Sequence, residues 1–225
     1  MANAVKRYET TPEVILIIIL RITAILAGIF QVVSGDLVMG VFIFLATGAL
    51  MAPALFTRNK IQTMPLTIEI IFFLMILLQF VIGETLNLYR LVPYYDKLVH
   101  FSLPLMVGLI SFIIAYTLHQ TGNLRMSTGP LMVIIVLMTL GIGAIWEIIE
   151  YLTDVFLNPM FDSLGALQGN FTEPPIVDTM NDLILDVVGG IFGAILGWRY
   201  ISYSESRKSK RLSNIVQELS SNFKK

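Results

Sequence analysis

The sequence contains no cysteine. That excludes a disulfide scaffold, a thiolate zinc site and a cysteine nucleophile. Charge is scarce too: Asp, Glu, Lys and Arg make up 14% of the 225 residues, against about 25% in an ordinary soluble domain. A soluble protein of this size exposes much surface to water and needs charge to cover it, so the composition argues against a soluble enzyme. The charges that remain nearly cancel, with 15 basic and 16 acidic residues for a net −1. Such a balance offers nucleic acid no electrostatic footprint. No phosphate-binding loop, nucleophile elbow, dinucleotide fingerprint or convincing repeat is present. What fills the chain is apolar: 56% of residues, with a mean hydropathy of +0.77. The expected solvent and partner is a lipid bilayer, and the expected fold class is an all-α, polytopic transmembrane helix bundle.

A membrane helix needs about 20 mostly apolar residues to cross about 30 Å. Six stretches qualify, near 13–34, 37–57, 66–86, 97–119, 129–154 and 180–201. They form one transmembrane domain over 1–202, followed by a basic tail over 203–225. Arg21 interrupts the first apolar run and no A-x-A cleavage site follows, so this run reads as a retained span rather than a signal peptide. Basic residues set the orientation. Lys6, Arg7, Arg58, Lys60, Arg125, Arg199 and the tail cations fall on one side, Arg90 and Lys97 on the other. Both termini are therefore expected in the cytoplasm and the protein in a plasma membrane. Arg21 and Glu69, each inside a span, are expected to pair. In the tail, Leu212, Ile215, Val216, Leu219 and Phe223 recur at helical spacing behind a basic run. That pattern fits an interfacial amphipathic helix on anionic lipid, or a frayed tail.

Carboxylates inside a membrane cost roughly 2.5–3.5 kcal/mol each at a helix centre, and here they are not scattered. Gly143, Glu147, Glu150 and Asp154 fall on one face of the fifth span at about 100° per residue. Asp178, Asp182 and Asp186 stand at i, i+4 and i+8 on the sixth, and Gly189, Gly193 and Gly197 continue that stripe. Small residues at this spacing let helices approach closely, so the two stripes are expected to face each other or a shared interior. Asp96 and His100 add a further i, i+4 pair on the fourth span. Topology places all of these in one outer half. Some have plainer explanations: Asp178 suits a helix N-cap, Asp154 a solvated helix end, and the buried acids an interhelical polar network. As one pocket they repel one another, and Lys97 and Arg90 are too few to neutralise them. A bound divalent cation is the economical answer, with Asp96, His100, Glu147, Glu150, Asp178, Asp182 and Asp186 as candidate ligands. Oxygen ligands favour Mg, Ca or Mn, and a mixed carboxylate and imidazole set also suits Zn or Fe. The loop at 155–179 is long enough to cover such a pocket as a lid.

The order Tyr95-Asp96-x-x-x-His100-Phe101, Glu147-x-x-Glu150, Asp162-x-Leu164-Gly165-x-x-Gln168-Gly169, Asp178-Thr179-x-x-Asp182 resembles the signature of the YjdF-like bacterial inner-membrane proteins. Asp-Lys-x-x-His-Phe and the later acids are more weakly similar to the VanZ-like membrane proteins. The chain departs from the YjdF-like pattern at Asn170 and in a longer Phe171–Val177 stretch. The resemblance implies a polytopic membrane protein and brings no reaction with it. From the residues, three functions stand open. One is a metal-dependent hydrolase or transferase on a lipid-like or membrane-near substrate, with Glu147 or Glu150 as base and His100 as ligand or acid. Another is a proton or cation transporter or channel. The third is a non-catalytic protein with a structural polar network.

Overall fold

A computed structural model describes residues 11–56, 65–161 and 173–223. The Asp162–Gly169 motif, Asn170, Phe171 and the basic residues Lys6, Arg7, Arg58, Lys60, Lys224 and Lys225 lie outside the described residues, as do residues 162–172 of the loop read as a lid. Among the described residues every regular element is helical.

The chain starts α1 (Pro12–Val33) in the expected way, with proline in the first turn and the Thr11 hydroxyl accepting from the Val14 amide at 3.4 Å. A turn at Gly35, φ +98°, stops it. The Asp36 carboxylate then accepts from the Met39 amide at 2.9 Å and opens α2 (Leu37–Phe56). Next, α3 (Leu66–Ile76) runs on without a break as a π-helix over Leu77–Thr85. The wider winding shifts carbonyls out of α-register, and side chains meet two of them: the Tyr95 hydroxyl donates to Leu78 O at 2.8 Å and the Thr85 hydroxyl to Phe80 O at 3.0 Å. A single turn, α4 (Leu88–Leu91), leads through Tyr94 at φ +61° into α5 (Tyr95–Gln120). The antiparallel α6 (Thr128–Leu152) is also prolonged by a π-helix, Thr153–Leu157, and a last turn α7 (Asn158–Phe161). The longest helix, α8 (Pro175–Ser206), spans 32 residues, and α9 (Lys210–Phe223) follows.

Five of these runs are long and apolar enough to cross a bilayer: α1, α3 with its π extension, α5, α6 with its extension to Met160, and α8. Within α2, the apolar stretch Leu37–Ala52 is shorter. The protein is thus an all-helical membrane bundle of five to six spans. Its outer surface is a belt of exposed Ile, Leu and Val, such as Ile18, Ile22 and Leu26 on α1 and Val133, Leu137 and Ile145 on α6, the inverse of a soluble protein.

The helices sort into two groups. In one, α1 packs on α2 and α3 around Ala24, Met39, Ile43 and Phe73. Here the expected ion pair forms: Arg21 Nε lies 3.0 Å from Glu69 Oε1, and Nη2 binds the same oxygen. In the other group α8 lies between α5 and α6, and its pairing with α5 is the most extensive in the molecule. The glycine stripe explains why: the sequence left open the α6 stripe or a shared interior, and the glycines pack on α5. A Cβ at Gly189 would overlap the Phe101 carbonyl and one at Gly193 the Leu105 carbonyl, while Gly197 abuts the Phe112 side chain. All three contacts are on α5, not α6. The apolar face of α9 is buried too: Ile215 and Leu219 pack with Ile68, Ile110 and Ile113, and Leu212 with Phe112 and Ile201.

Candidate functional site

The N-terminal ends of α5 and α8 and the C-terminal end of α6 meet at one end of the bundle, so three separate acidic patterns converge. The sequence placed the last span at 180–201. Instead α8 begins at Pro175, with Pro174 at the cap position, so Asp178 belongs to the first turn and not to the cap. Asp178, Asp182 and Asp186 are all buried and form one stripe toward α5.

Two side chains on α5, Lys97 and His100, receive this stripe. Lys97 Nζ lies 2.5 Å from Asp178 Oδ1, 2.9 and 2.8 Å from the two Asp182 oxygens, and 3.2 Å from Asp96 Oδ2. Glu173, just before α8, stands 3.7 Å away. The sequence reading gave Lys97 no role beyond a charge count; in the fold it is the hub of the outer layer. The signal was present, because Lys97 and His100 are i, i+3 on one helix face.

One turn deeper sits His100, 5% exposed. Its Nδ1 is 3.2 Å from Asp186 Oδ1. Its Nε2 faces Glu147 Oε1 at 3.6 Å and Asp96 Oδ1 at 3.7 Å. Asp186 is 1% exposed, and its second oxygen, Oδ2, has no hydrogen-bond partner among the described residues. That carboxylate fits only because α6 presents Gly143 there, where a Cβ would overlap it. A buried acid lying on a glycine is the small-residue rule applied to a polar group.

The candidate ligands therefore divide. Asp96, His100 and Asp182 each offer one ligand atom within 4.8 Å of the others. Two ligands on opposite sides of a metal at about 2.1 Å would stand about 4.2 Å apart, so small side-chain rotations bring this trio into range. Asp186 and Glu147 flank His100 on its two nitrogens, and Thr179 hydrogen-bonds to Glu147. Asp178 is drawn to Lys97. Glu150 is turned aside: its Oε1 accepts from Trp146 Nε1 at 2.7 Å. Asp154, in the π-helical stretch, accepts from Asn158 at 2.9 Å. Between α4 and the π-helix of α3, Tyr89 donates to Gln79 Oε1 at 2.8 Å, and burial holds its phenol well above the usual range.

A family described as "Predicted membrane protein (DUF2238)" matches residues 12–203. An "Uncharacterized protein" of Thermotoga maritima is 29% identical over 178 residues, covering 75% of this chain and 83% of its own. No solved structure matches significantly. The YjdF-like resemblance fits this family, and the VanZ-like one gains no support from these matches.

Proposed function

Because this chain belongs to the DUF2238 family of predicted membrane proteins and gathers acids around an imidazole inside its bundle, we propose that it binds a divalent cation on Asp96, His100 and Asp182. The function that follows is a metal-dependent membrane hydrolase or transferase on a lipid-like substrate. One observation carries the reading: Asp186 accepts from one nitrogen of His100 at 3.2 Å, which leaves the other nitrogen free to ligate toward Asp96. Metal-binding histidines characteristically give their second N–H to a carboxylate, which fixes ring orientation and raises ligand basicity. An imidazole between two carboxylates suits Mn, Fe or Zn better than Ca. A bound metal would polarise a phosphoryl or carbonyl oxygen and acidify water. Glu147, at 3.6 Å from Nε2, is the base, and His100 is held for ligation rather than proton transfer. Glu150, committed to Trp146, is a supporting residue. The bias of basic residues supports an orientation with this end of the bundle outside the cell and both termini in the cytoplasm.

Lys97 favours a second reading, in which it and His100 neutralise the acids by themselves and the cluster serves only to hold α5, α6 and α8 together. Elemental analysis of purified protein separates the two. The first reading expects near-stoichiometric metal in the wild type, lost in Asp182→Asn and retained in Glu150→Gln. Folded wild-type protein free of metal after incubation with Mn, Fe and Zn would leave only the second. Transport is disfavoured by the far half of α8, where Gly189, Gly193 and Gly197 close onto α5 and the next acid, Glu205, stands only at the far end of the helix, held by the Tyr116 hydroxyl. Flux of a divalent cation into proteoliposomes would reverse that judgement.

A further inference from the structure

Beside the cluster, where the α1–α3 group meets α5 and α6, lies a cavity of about 300 Å³, the low end of the usual range for small-molecule sites. Its walls are almost wholly apolar, with Ala46 and Leu50 from α2, Phe72 and Met75 from α3, and Leu103 and Val107 from α5. On the α6 side Ile142 lines the cavity and is itself 47% exposed, so the wall is open on the side of α6 that carries the exposed apolar belt. The cavity has five polar lining side chains, and each has a partner: Trp146 donates to Glu150, Gln79 accepts from Tyr89, Thr139 donates to Val136 O, and His100 and Asp186 hold each other through Asp186 Oδ1. What is left over is the second Asp186 oxygen, the buried Oδ2, which lies against Gly143 at the wall and has no partner among the described residues. A buried acceptor without a donor is destabilising, more so when charged, and an apolar chamber offers it nothing.

We infer that this cavity takes the hydrocarbon chain of a single-chain lipid, entering sideways from the bilayer beside Ile142, whose head offers a hydroxyl donor to Asp186. The inference rests on the reading of the neighbouring cluster as a reaction site and names its substrate class. The apolar lining selects a chain, the lateral wall makes the bilayer its source, and the acceptor at Asp186 selects a hydroxyl over a carboxylate head, which would meet like charge.

The test uses the full-length protein in nanodiscs and a monoacylglycerol carrying a diazirine in its chain, with the matching diazirine fatty acid as comparison. After irradiation, labelled peptides are mapped by mass spectrometry and metal content is measured on the same samples. Expected is label from the monoacylglycerol at Phe72, Leu103 or Val107, at least ten times weaker from the fatty acid and at least ten times weaker in Val107→Trp, which fills the chamber. Label on lipid-facing Ile18 and Ile22 stays unchanged. Ala46→Phe narrows the cavity from the opposite wall and is expected to act alike, which covers a Val107→Trp protein that does not fold. Label confined to lipid-facing residues, equal label from both probes, or wall label persisting in a folded cavity-filling variant would overturn the inference. Metal bound without wall label sinks the lipid inference alone. Wall label in metal-free protein upholds the chamber and sinks the cation reading.

Discussion

The α5–α8 seam gives the sharpest prediction, because it can be tested by adding one methyl group. At Gly193 a Cβ would run into the Leu105 carbonyl oxygen, a backbone atom with no rotamer in which to retreat. Carbon and oxygen settle at about 3.3–3.6 Å in close helix contacts, so relief in Gly193→Ala requires the two helices to part by roughly 1 Å. Forced overpacking of this kind costs about 1–3 kcal/mol. The site would feel it as well. The His100–Asp186 separation is 3.2 Å, and a displacement of that size carries it past about 3.5 Å, beyond a useful hydrogen bond. Gly141 supplies the control. Nothing lies within 4 Å of its hypothetical Cβ, so Gly141→Ala is expected to be neutral or to stabilise α6 by up to about 1 kcal/mol, the ordinary helix preference of alanine over glycine. Thermal unfolding in detergent measures both. At about 2–4 °C per kcal/mol for a chain of this size, the two variants are expected to differ by several degrees, with Gly193→Ala the lower. Equal melting temperatures, or a Gly193→Ala protein that keeps wild-type metal content and stability, would refute the close seam and its coupling to the site.

Other outcomes follow from contacts already described. Arg21→Met strands the buried Glu69 carboxylate and is expected to cost up to about 3–5 kcal/mol; the exchanged pair Arg21→Glu with Glu69→Arg restores expression that each single change loses, and no rescue in a membrane-expression assay would argue against the pair. Lys97→Met removes the ammonium competing for Asp182. It is expected to tighten Mn binding in titration calorimetry while lowering the melting temperature, and weaker Mn binding would recast Lys97 as an organiser of the ligands. Tyr89→Phe removes a hydrogen bond to Gln79, for an expected loss of about 0.5–1.5 kcal/mol at neutral pH. Burial raises the Tyr89 phenol above its ordinary 10.0, so the folded state holds this proton more tightly than the unfolded chain. Its contribution is complete below pH 10 and lost as pH climbs toward the raised folded value. Stability above pH 10 is therefore expected to fall more steeply in the wild type than in Tyr89→Phe, and parallel curves would contradict the assignment.

How much of this was legible in the sequence depends on how local each signal is. Helical periodicity put Asp178, Asp182 and Asp186 on one stripe and Asp96 with His100 on another, and both hold because each rests on spacing within a single α-helix. The wheel of α6 was only partly reliable. Gly143 and Glu147 do face the interior, but Trp146 takes Glu150 by an i, i+4 hydrogen bond, and the π-helix from Thr153 rotates Asp154 out of the α-register that the wheel assumes. Periodicity carries no information about either event. The partner of the glycine stripe was not legible either: chain adjacency suggested the α6 stripe or a shared interior, while backbone fit selects α5. Lys97 was legible and was passed over, since counting charge by side of the membrane hides which face of the helix bears it. The chamber beside Asp186 could not have been read at all: its walls come from α2, α3, α5, α6 and α8.

The aspartate stripe has a consequence for biogenesis. With three acids along one side, α8 is the least hydrophobic of the five long spans, at a mean hydropathy of 1.5, and a lone aspartate already disfavours partition through the translocon by about 2.5–3.5 kcal/mol. Left by itself the segment would be a reluctant entrant. Synthesis runs from the N-terminus, however, so α5 reaches the lipid first and offers an ammonium and an imidazole at the depth where those acids arrive. The last span is thus integrated against a receptor that the nascent chain has already laid down.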